Sequence, residues 1–96
     1  MAWRILFLLA FSVPAVSQPT TTDLLKSLRQ AENQGNRDSV SYYLSVLSSR
    51  LLEEKSFDSA RYFLNKAAAY NTYTGNSERL AEVLNNLGVW HFSVGT

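Results

Sequence analysis

The feature that most restricts this 96-residue chain is that it begins again part-way along. Gly35-Asn36 and Gly75-Asn76 stand forty positions apart, and the residues after each pair match in kind. Val40, Leu44, Leu47 and Leu51 fall in register with Leu80, Leu84, Leu87 and His91, and Asp38 with Glu78. Backwards, Leu24 faces Leu64, Lys26 faces Lys66 and Leu28 faces Ala68. Self-similarity at a fixed period of roughly 20–50 residues marks a repeat architecture.

The apolar spacing within each unit is helical. Val40, Leu44, Leu47 and Leu51 step by four, three and four, a stripe along one side of a helix, widened by Tyr43, Val46 and Leu52. The pattern predicts helices over Asp23–Asn33, Arg37–Lys55 and Phe57–Asn71, and a fourth from after Asn76 to about Val94. Thr22 or Asp23 caps the first, Asn36 the second and Ser56 the third. Gly35 stops the first, because glycine tolerates the left-handed conformation at a helix C-terminus. Asn71–Gly75 reads as a polar linker. Lys55-Ser56 is so short a turn that the helices on either side must run antiparallel. Ser41, Ser45, Ser48 and Ser49 are indifferent helix formers, so packing must hold the second helix together.

The first residues carry an address. Arg4 precedes the apolar run Ile5–Phe11, Pro14 breaks it, and Ala15-Val16-Ser17 places small residues before Gln18. This is the three-part pattern of a signal peptide cleaved after Ser17, which implies an exported protein, periplasmic or secreted. The apolar stretch is too short for a spanning helix of roughly 20 residues. The alternatives are an uncleaved amino-terminal membrane anchor or a buried helix. The chain then divides into the signal segment 1–17, an extended lead-in 18–22 and a helical repeat region 23–96.

Without the first 17 residues, the domain is near the size at which a single core is marginal. Nine basic and eight acidic residues are spread singly, and one of the basic ones, Arg4, lies in the signal segment. No basic stripe exists, which disfavours nucleic acid as a partner. The absence of cysteine excludes disulfides, thiolate zinc sites and a thiol nucleophile. His91 is the only histidine and has no neighbouring ligand in sequence, and Glu53-Glu54 is the only adjacent carboxylate pair. Neither forms a convergent acid–base or metal constellation, so the reading is non-catalytic, with no cofactor.

The stretch Leu44–Ala68 resembles a tetratricopeptide repeat, a helix-turn-helix with large residues on its first helix and small ones on its second. Leu44, Leu47 and Leu51 match the first-helix core places, and Phe57, Ala60, Leu64 and Ala67 the aromatic, small, large and small places of the second. Leu84-Asn85-Asn86-Leu87-Gly88, followed by Trp90-His91-Phe92, resembles the opening helix of another repeat, with Gly88 at the place where hairpin helices pack tightly. The period departs from the usual, about 34 residues, and the excess is expected in the linker near Tyr70–Gly75. Ser48 and Lys55 also stand where glycines are usual. His91 stands in for the tyrosine common at its place.

The resemblance implies an all-α fold of antiparallel helical hairpins stacked as a short solenoid of about four helices. It also implies a scaffold that binds a protein or peptide along a groove made by first helices. The groove positions it implies are Tyr42, Ser45, Ser49 and Glu53, then Glu82, Asn85, Val89 and Phe92. Asn85 leads among them, because a side-chain amide can hold a peptide backbone through both donor and acceptor. Repeats of this kind behind a signal peptide also resemble periplasmic sensory regions of longer signalling proteins, histidine kinases or transcriptional regulators. Less than two full repeats leave Leu80, Leu84 and Leu87 as an unpartnered stripe. A longer protein, or self-association through those leucines, would cover it.

Overall fold

The computed structural model describes residues 19–95, so the expected signal segment and its expected cleavage site lie outside the described residues. Within that span the chain is all-α, with four helices in sequence: α1 (Thr21–Gln34), α2 (Arg37–Glu53), α3 (Phe57–Thr74) and α4 (Ser77–Val94). Each packs antiparallel on the next. A plain four-helix bundle would return α4 to α1. Instead α4 lies against α3 and α2 and makes no close approach to α1, which is the arrangement of stacked hairpins.

The turns share one design. Gly35, Lys55, Gly75 and Gly95 all adopt the left-handed conformation, with φ of 67°, 61°, 76° and 76°. At the three turns between helices, the amide of that residue donates to a carbonyl three residues back, and the next amide donates to one five back. This is the Schellman closure, which satisfies the last carbonyls of a helix. The residues involved are twenty apart, so the forty-residue repeat consists of two units, each one helix and one turn of two or three residues.

That geometry corrects the expected linker. Asn71–Thr74 is the last turn of α3, and the extra length of the repeat lies in the helices themselves. Thr72 and Thr74 would weaken a helix by competing for its backbone. Here their hydroxyls donate to the carbonyls of Ala68 and Tyr70, at 2.8 and 3.1 Å, and the helix continues. Asn71 in the same turn is buried, so tertiary packing overrides weak local propensity.

The α1 start also moves. Thr20 is its cap, not Thr22 or Asp23, and the lead-in is correspondingly shorter. The Thr20 hydroxyl accepts from the Asp23 amide, while the Asp23 carboxylate accepts from the Thr20 amide, both at 3.1 Å. This reciprocal capping box satisfies two otherwise orphaned donors. The bonds donated by the Thr20 backbone and then its side chain hold the Asp23 carboxyl below its ordinary value, with a smaller contribution from Lys26. Asn36 and Asn76 cap α2 and α4 through their side-chain carbonyls, whereas Ser56 stands at the α3 N-cap without a side-chain bond.

The core is one cluster. Leu24, Leu28 and Ala31 of α1 meet Val40, Leu44, Leu47 and Leu51 of α2, then Ala60, Leu64 and Ala67 of α3. The α4 contribution differs from the expected stripe. Val83 is buried, Leu87 and Trp90 pack partly against the cluster, and Leu84 stays 54% exposed. Trp90 holds α4 on α3 by donating its indole N–H to the Phe57 carbonyl at 2.8 Å, with the Arg61 guanidinium 4.6 Å above its ring. Ser41, Ser45 and Ser48 are buried, so these serines serve close packing.

Lys55 is the one non-glycine residue of the described chain with positive φ. An L side chain meets a steric penalty in that region that glycine avoids. Lys55→Gly is expected to stabilise the chain by about 0.5–1 kcal/mol, the gain being trimmed by glycine's freedom in the unfolded state. A urea titration followed by circular dichroism reads this as a higher midpoint, and a lower midpoint would show that the lysine makes a compensating contact.

Candidate peptide-binding face

The candidate face arises because α2 and α4 are the same unit forty residues apart and lie side by side. Residues at equivalent helical angles therefore line up across it. Ser45 donates to a Glu82 carboxylate oxygen at 3.4 Å, and the Asn86 amide donates to the Ser49 hydroxyl at 3.3 Å. Arg79 reaches Glu82 at 4.0 Å and lies 5.9 Å from the Tyr42 ring centroid. These contacts are long and partly solvated, so each is weakly stabilising. Their effect is to orient the side chains that a second molecule would meet.

Open hollows follow the same seam. Asn76, Glu78, Arg79 and Glu82 line one of about 210 Å³ at the α4 start. Ser49, Leu52, Glu53, Asn86, Val89 and Ser93 line another of about 320 Å³ midway. Leu52, Lys55, Phe57, Phe92 and Ser93 line a third of about 410 Å³ at the far end. The surface thus changes from charged and aromatic at one end, through amide and hydroxyl groups, to apolar at the other. Exposed Tyr42, Val89 and Phe92 punctuate it, and Phe92 is 87% exposed.

The structure brings Tyr42, Ser49, Glu53, Glu82, Val89 and Phe92 along this seam. Ser45 is buried beneath it, only 3% exposed, so it supports Glu82 and offers little to a ligand. Asn85 is exposed on the same side of α4 as Glu82, Val89 and Phe92, whereas Asn86 lines the middle hollow and reaches across the seam to Ser49. Arg79 and Leu52 also belong to the face, although the resemblance marks neither of them as a groove position.

Among the described residues no group of three or more His, Asp or Glu side chains could hold a metal ion. His91 is exposed, with its ring edge-to-face against Trp90 at 5.1 Å. No described helix is long and apolar enough to cross a membrane. Set against protein-family models, curated proteins and solved structures, the chain matches none of them.

Proposed function

We propose that this chain is a non-catalytic, exported scaffold of the tetratricopeptide type that binds a protein or peptide segment along the α2–α4 seam. The observation that carries the reading is the seam itself: a line of open hollows with polar groups at one end and apolar ones at the other. Asn86 and Ser49 offer an amide and a hydroxyl to a peptide backbone. Leu52, Val89 and Phe92 offer an anchor place to one apolar side chain, and Tyr42 with Arg79 offers an aromatic and a cation. The stacked-hairpin architecture supports the reading, because side-by-side first helices create such an extended face.

Selection of peptides from a displayed random library on the purified chain tests this, with affinities then measured by calorimetry. Val89→Glu and Tyr42→Ala are expected to weaken a selected peptide by about ten- to a hundredfold, while Asn65→Ala on the exposed part of α3 leaves it unchanged. Asn86→Ala should cost more than Asn85→Ala. Peptides that bind undiminished to all the seam variants would put the site elsewhere.

A further inference from the structure

The internal repeat makes it possible to compare two copies of one helix within the same molecule. In α2, Leu44, Ser48 and Leu51 are 1%, 0% and 6% exposed. They are covered by α3, which presents Ala60, Leu64 and Ala67, all at 0%. The small–large–small order of α3 complements the large–small–large order of α2. In α4 the equivalents are Leu84, Gly88 and His91, and all three are exposed. A Cβ built at Gly88 meets nothing within 4 Å, although Ser48 in the same register is wholly enclosed. Among the described residues nothing packs tightly around Gly88, and the uncovered face continues the α2–α3 interface in register.

The same face of α4 also contains its own complement. Ala81, Leu84 and Gly88 read small, large, small, the order that α3 presents to α2. In an antiparallel pair of α4 helices centred on Asn86, Leu84 of one copy lies opposite Gly88 of the other, and His91 opposite Ala81. Each large side chain then meets a small one, and the relation is reciprocal, as a two-fold interface requires. None of these four residues is an acid, a lysine or an arginine, so no like-charge pair among them opposes the approach. We infer that the uncovered face of α4, formed by Ala81, Leu84, Gly88 and His91, is the site at which a second copy of this chain docks, α4 antiparallel to α4. The contact is one helix pair about 27 Å long, at the low end of stable interface sizes, so the dimer is expected to dissociate in the micromolar range.

Sedimentation of the purified full chain over a concentration series is the test. A monomer–dimer equilibrium is expected for the parent chain and for Asn65→Glu, which adds charge on α3. Gly88→Glu and Leu84→Glu should raise the dissociation constant at least about tenfold with unchanged helical circular dichroism. Because the chain has no cysteine, cross-linking gives a second readout. A mixture of Leu84→Cys and Gly88→Cys chains should form a mixed disulfide faster than either chain pairs with itself. A parent chain that stays monomeric would overturn the inference, leaving the face to a helix of a different partner. A dimer indifferent to both glutamate substitutions would overturn it as well.

Discussion

Leu64→Ala is expected to destabilise the chain by about 2–5 kcal/mol, far more than any truncation on its surface. Leu64 is 0% exposed at the middle of α3, between Ala60 and Ala67, which are also fully enclosed. Removing its branched end leaves a void that its neighbours cannot refill, because alanine has no further reach. Among the described helices α3 alone packs strongly on both α2 and α4, so the void lies where the two hairpins share one core. A domain of this size commonly has a total stability of about 4–12 kcal/mol, so the variant would be partly unfolded at physiological temperature. Urea titration followed by circular dichroism measures it, with Tyr73→Ala, 78% exposed in the parent chain, as the surface comparison. A Leu64→Ala effect below about 1 kcal/mol, or one no larger than that of Tyr73→Ala, would mean that α3 does not sit between the hairpins.

The second large effect concerns a polar pair. Asn71 is 1% exposed; its side-chain carbonyl accepts from the Ser41 hydroxyl at 2.6 Å and its amide donates to the Ala67 carbonyl at 2.8 Å. The bond to Ser41 joins the first turns of α2 to the last turn of α3. Asn71→Leu is expected to cost about 1–3 kcal/mol, because it keeps the volume but leaves the buried Ser41 hydroxyl without its partner. Ser41→Ala should cost less, about 1 kcal/mol, since the remaining asparagine keeps its bond to Ala67. Replacing both should cost less than the sum, with a coupling of about 1 kcal/mol or more, because no unpaired polar group then remains. Strict additivity in this double-mutant cycle would show that the hydroxyl and the amide act independently.

Much of the fold is legible in the residues. The Val40–Leu51 stripe requires a helix with one buried side, the glycines at 35 and 75 place two helix boundaries, and the short Lys55-Ser56 turn requires antiparallel neighbours. The twenty-residue unit is harder to see. Its marker residue is glycine at three of four places and lysine at the other, so the pattern of glycines alone suggests a period of forty. The Tyr70–Thr74 turn reads as a linker for a related reason. Its residues have weak helical propensity, and the burial of Asn71 that holds the turn together depends on Ser41, thirty positions away.

The candidate face is legible only in outline. The resemblance marks Tyr42, Ser49, Glu82 and Val89 as groove positions, but it also marks Ser45, which the packing of α4 buries. Which side of a helix remains open depends on how many neighbours the helix has. Among the described residues α2 has α1, α3 and α4 around it, whereas α4 has α2 and α3 alone. Identical periodicity therefore buries Leu44 and exposes Leu84.

By itself the sequence determined the helices, their antiparallel order and the repeat, because periodicity, caps and left-handed stops act over a few residues. Only the tertiary structure decided the length of α3, the burial of three serines and Asn71, the bond from Asn86 to Ser49 across the seam, and the open side of α4. Those depend on contacts between residues far apart in the chain, where the free energy of packing outweighs local propensity.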